Sequence, residues 1–139
     1  MTIEECKTLC GLIADGSPSQ KFTDGTYKSW HMIIGNLPYV HTFKAWVALR
    51  RHVKYVDTPD LYAVVRRMRT QTRLAIRRVM RDEGETGWDV DSIADSAIES
   101  GAAWFDDADL LRDDTPEEIA YGRRAAAIDE SAIRLLAKS

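Results

Sequence analysis

Three of the four prolines in this chain stand where a helix can begin: Leu37-Pro38-Tyr39-Val40, Thr58-Pro59-Asp60-Leu61 and Thr115-Pro116-Glu117-Glu118. The proline ring holds φ near −65°, and its missing N–H falls among donors that have no intrahelical partner at a helix start. Apolar residues between these starts recur at helical spacing, so the pattern predicts a run of short helices. The expected class is all-α, a small helical bundle with a long basic fourth helix and an acidic helical C-terminal extension.

The first helix is expected to start at Thr2, with Glu5 completing a capping box ahead of Leu9, Leu12 and Ile13, and to end near Asp15-Gly16-Ser17-Pro18. Thr23 or Asp24 caps the second helix, whose buried stripe is Tyr27, Trp30, Ile33, Ile34 and Leu37. The third buries Val40, Phe43, Trp46 and Val47, with Val53 and Val56 at its far end. The fourth opens at Pro59 and runs to about Arg81, because Leu61, Val65, Met68, Thr72, Ala75 and Val79 keep a mostly apolar seam at alternating spacings of four and three. Arg66, Arg69, Arg73 and Arg77 are expected together on its solvent side, where they could meet phosphates through charge-assisted hydrogen bonds.

Asp82-Glu83-Gly84-Glu85-Thr86-Gly87 ends that helix and divides the chain into a helical domain, 1–81, and an acidic partner-binding segment, 82–139. The division is electrostatic too. Residues 1–81 hold 14 Lys or Arg against 6 Asp or Glu, a balance of +8, while residues 82–139 hold 5 against 16, a balance of −11. A basic stretch followed by an acidic one can serve two partners or neutralise itself within the molecule. Beyond the glycines, Trp88, Val90, Ile93, Ala94, Ala97 and Ile98 predict an amphipathic helix capped by Asp89 or Asp91. A terminal helix is expected through Ile119, Ala126, Ile128, Ile133 and Leu136, with a break near Asp129.

Three readings of the acidic half stand side by side: a metal site, a mimic of nucleic acid, and a strip that is solvated or folds back on the arginine helix. A metal site has least support, for the spaced carboxylates and loop glycine of a calcium hand are missing. Large aromatics among the acids argue against plain disorder and suit a segment that docks by an apolar face. Trp88, Trp104, Phe105, Leu110 and Leu111 are the candidate partner anchors, with Trp30 as core. The sequence carries no phosphate-binding glycine loop, no nucleophile elbow and no paired metal-binding histidines, so neither catalysis nor a cofactor is expected. Cys6 and Cys10, four apart on one helix, read as core rather than as a disulfide or zinc site. No run reaches the roughly 18–20 apolar residues of a membrane span, and the N-terminus lacks the regions of a signal peptide, so a cytoplasmic protein is expected.

The order of the first four helices resembles the loader-and-inhibitor family of phage replicative helicases. Leu9, Leu12-Ile13-Ala14, Phe22, Trp30, Leu37-Pro38-Tyr39, Ala45, Leu49 and Thr58-Pro59 with Leu61 carry the resemblance, which covers residues 2 to 65. It implies a phage or prophage adaptor that binds the hexameric replicative helicase, inhibits it and assists its loading. An origin-binding or single-strand-binding protein is a further implied partner. The arginine helix and the long acidic segment exceed what that family leads one to expect. Two alternatives from other classes are a DNA-binding regulator that uses Arg66, Arg69, Arg73 and Arg77, and an acidic inhibitor that mimics nucleic acid.

Overall fold

The chain is all-α, with seven helices and one two-stranded sheet among the residues described in the computed structural model, 1–17, 20–112 and 125–138. Helices α1 (Ile3–Gly16), α2 (Asp24–Ile34), α3 (Tyr39–Arg50) and α4 (Thr58–Asp82) are followed by α5 (Val90–Ser100), β1 (Ala103–Trp104), α6 (Asp107–Leu111), β2 (Ala127–Ile128) and α7 (Glu130–Ala137). The helix start expected at Thr115-Pro116 and the apolar Ile119 lie outside the described residues.

The fold has two compact units, Met1–Val65 and Arg66–Ser139. Their boundary falls inside α4, not at the glycine-containing segment where the sequence suggested it. The reason is burial: Ile76, on the second half of α4, belongs to one core with Ile93, Ala94 and Ala97 of α5. The arginine-bearing half of α4 therefore folds with the acidic segment.

In the first unit α1 packs on α2 and α3. Thr2 and Glu5 form the expected capping box, with the Thr2 hydroxyl accepting from the Glu5 N–H at 3.1 Å and the Glu5 carboxylate from the Thr2 N–H at 2.8 Å. Cys6, Leu9, Cys10 and Ile13 are buried along one face. Both cysteines are free thiols, and burial, then the charge of Cys6, pushes the Cys10 pKa up to about 12. Thr23 caps α2, and the Trp30 ring meets Phe22 edge-on at 5.0 Å.

The α2 stripe needs one correction, since Trp30, Ile34 and Leu37 are buried but Ile33 is exposed. In α3, Val40 is exposed and Phe43 and Val47 are only partly buried, while His41, Thr42, Ala45, Trp46, Ala48 and Leu49 form the inner face. Val56 is buried beyond the helix and Val53 is not. Apolar residues ring α3 on all sides, so periodicity did not select a face; small Ala45 and Ala48 lie on the side that faces inward. Pro38 is the N-cap of α3 rather than its first helical residue. The α4 seam is as expected, with Leu61, Val65, Met68, Thr72, Ala75 and Val79 all buried.

In the second unit α5 packs on α7 and β1. Asp89 caps α5, accepting from the Ser92 N–H at 3.2 Å, and Gly101 ends it at φ 81°, the left-handed conformation that favours glycine. The predicted terminal helix is interrupted at Asp129, but Ala127 and Ile128 before it form a strand. They pair antiparallel with Trp104 and Ala103, respectively. Asp129 donates its N–H to Ala102 at 2.8 Å, and its carboxylate caps α7 through Ser131 and Ala132. Arg134 of α7 hydrogen-bonds Glu83 just past α4, which raises the guanidinium pKa further.

Candidate interaction site

The strand pair decides what becomes of the aromatic residues in the acidic segment. Successive strand side chains point to opposite faces. Ala103 is accordingly buried in the core of the second unit, Trp104 is 54% exposed, and Phe105 turns back against that core. Asp106 then caps the short α6, its carboxylate accepting from the Ala108 N–H at 2.9 Å.

Two residues of α4 hold this region in place. The Gln71 amide donates to the Asp109 carbonyl at 3.3 Å, and the Gln71 carbonyl accepts from the Ala126 N–H at 3.2 Å. Arg67 donates to the Leu110 carbonyl at 2.8 Å. Around these bonds lies a cavity of about 220 Å³ lined by Gln71, Trp104, Phe105, Asp106, Asp109 and Ala125–Ala127. The cavity sets an exposed indole beside two acids, an arrangement able to receive a side chain that is apolar or cationic.

Of the five candidate anchors, Trp104 faces solvent. Trp88 and Phe105 are half-buried against the core of their own unit, and Leu111 is partly buried. Leu110 is 3% exposed and is a core residue, which corrects its reading as an anchor. Trp30 is core, as expected. Sequence reasoning passed over Gln71 as a positioning residue; the available signal was its place three after Met68 and four before Ala75, on the buried side of α4.

The four arginines do not share one open face. Arg66 and Arg77 are exposed, but Arg69 Nε lies 3.4 Å from Asp95 Oδ1 and Arg73 Nε lies 2.8 Å from Asp91 Oδ1. The numbers rise on α4 as they fall on α5, so an antiparallel helix pair matches a four-residue spacing of arginines to a four-residue spacing of aspartates. The phosphate-binding face expected of Arg66, Arg69, Arg73 and Arg77 is thereby reduced to two exposed members. Among the described residues, no group of three or more His, Cys, Asp or Glu is placed to hold a metal ion, and no helix is long and apolar enough to cross a membrane.

No protein-family model, no curated protein and no solved structure matches this chain.

Proposed function

We propose that the chain is a non-catalytic adaptor acting through protein–protein contact, and that its partner is a hexameric replicative helicase which it restrains and helps to load. One observation carries the adaptor reading: Trp104 is held outward by a strand pair beside an acid-rimmed cavity, although its neighbours Ala103 and Phe105 pack inward. Exposed aromatics rigidly placed in this way are typical centres of binding energy. The choice of a helicase rests on the resemblance in residues 2–65 and makes the chain part of a phage replication module. The alternative of DNA binding through the arginine helix loses support from the pairing of Arg69 and Arg73 with aspartates.

The test is size-exclusion chromatography with light scattering of the full chain mixed with its cognate helicase, with and without an ATP analogue. A stable complex with lowered helicase ATPase is expected, and Trp104→Ala should weaken it about 30-fold or more, corresponding to roughly 2 kcal/mol at a binding centre. Absence of a complex in both nucleotide conditions rejects the helicase as partner.

A further inference from the structure

Trp46 carries a cation on its ring and Trp104 does not. The Arg50 guanidinium lies over the Trp46 ring at 5.0 Å, and Trp46 is 5% exposed. Trp104 is 54% exposed, and among the described residues no cation and no second ring lies against it. The negative face of an indole attracts a cation more strongly than any other aromatic side chain does. On Trp104 that face remains available to a partner.

The charge beside the ring has the complementary sign. Asp106 and Asp109 line the cavity of about 220 Å³ next to Trp104, and among the described residues no Lys or Arg lines it. Asp106 is exposed and makes no ion pair among the described residues; the Ala108 N–H engages only one of its two carboxylate oxygens. The surrounding sequence keeps this sign, since residues 105–126 hold seven Asp or Glu against three Arg, a balance of −4. Arg67, reaching over from α4, spends a guanidinium N–H on the Leu110 carbonyl at the far end of α6. A local field of this sign concentrates cationic partners.

We infer that this cavity receives an arginine side chain of a partner protein, its guanidinium stacked on the Trp104 ring and bonded through its edge to the Asp106 carboxylate. The inference rests on the reading of Trp104 as a contact residue and adds what the partner must present there. Arginine can do both at once, because the face and the edge of a guanidinium are separate interaction surfaces. Lysine brings a strongly hydrated point charge that lacks the flat face. An apolar side chain would cover the ring but would draw the Asp106 carboxylate out of water with no partner. Phe105 and Ala127, which also line the cavity, supply apolar surface for the methylene stem of the arginine.

The experiment follows the tryptophan indole N–H signals of the full chain in nitrogen–proton correlation spectra while Nα-acetyl-arginine amide is added. Trp104→Phe identifies the Trp104 signal. The arginine amide should move that signal saturably, the matching lysine amide should bind more weakly, and norleucine amide should leave the signal in place. Asp106→Asn keeps a cap oxygen for the Ala108 N–H and should weaken arginine binding about threefold, the loss of one exposed charge pair. Glu85→Gln removes a charge at an exposed position outside the cavity and should bind as the parent does. The inference is overturned if the arginine amide leaves the Trp104 signal unmoved, if norleucine amide moves it equally, if Asp106→Asn binds as the parent does, or if only the signals of Trp30, Trp46 or Trp88 respond. Its failure is distinct from failure of the adaptor reading. A helicase complex that forms and is lost in Trp104→Ala, with no response to arginine, rejects the arginine alone; a response to arginine with no complex rejects the helicase alone.

Discussion

Trp104 and Leu110 show how residues from one acidic, apolar-sprinkled segment part company in the fold. Leu110 is enclosed, so Leu110→Ala should destabilise the protein by about 2–5 kcal/mol, visible as a lower midpoint in urea unfolding. Its counterpart Trp104 faces solvent, and loss there should be read in binding. Cys10 gives a pH-dependent signature. Its thiol has a folded pKa of about 12 against an ordinary value of 9.0, so the folded state retains the proton that the unfolded chain gives up. The associated stability is complete below pH 9 and falls as pH rises toward 12. Denaturant unfolding of the parent and of Cys10→Ala, compared at pH 8 and pH 10.5, should show the parent losing more stability over that interval.

Among the elements, α5 has the most clearly specified ends. Asp89 caps its start, and Gly101 at φ 81° reverses the chain into β1. No atom crowds the space a Cβ at Gly101 would enter, so the cost of Gly101→Ala is conformational. It should be about 1–2 kcal/mol, measured as a lower denaturation midpoint with an unchanged far-ultraviolet spectrum. The strand pair after Gly101 depends on partners far away in sequence. Trp104 pairs with Ala127, and the Ala126 N–H reaches back to Gln71 on α4. Two-residue strands have no stability of their own, so their geometry rests on the packing of α4, α5 and α7 around them.

At the scale of the whole molecule, the charge separation of the sequence largely disappears once the chain is divided as it folds. Residues 1–65 balance to +1 and residues 66–139 to −4, in place of +8 and −11 for 1–81 and 82–139. The arginines of α4 and the aspartates of α5 belong to one unit and partly neutralise each other. The Arg73–Asp91 pair, with the Asp91 side chain 74% exposed, contributes little stability, ~0–1 kcal/mol. Asp91→Asn should consequently leave the unfolding midpoint nearly unchanged. It should raise affinity for duplex DNA a few-fold and steepen the salt dependence, since Arg73 becomes available to phosphates. Filter binding at several salt concentrations measures both effects.

Local chemistry by itself determined much of this protein. Thr2 with Glu5, Thr23, Asp89, Gly101 and the seam from Leu61 to Val79 are legible in sequence because caps and helical periodicity involve neighbours within one or two turns. The same locality misled at Ile33, Val40 and Val53, where an apolar residue fits more than one face and a distant helix chooses between them. Tertiary structure alone decided that Ala127 and Ile128 are strand, that Trp104 faces out while Leu110 faces in, and that the unit boundary falls within α4. It also decided the pairing of Arg69 with Asp95 and of Arg73 with Asp91, and the meeting of Gln71, Trp104, Asp106 and Ala127 around one cavity. In each case the partners are far apart along the chain, and only the burial of a shared core brings them together.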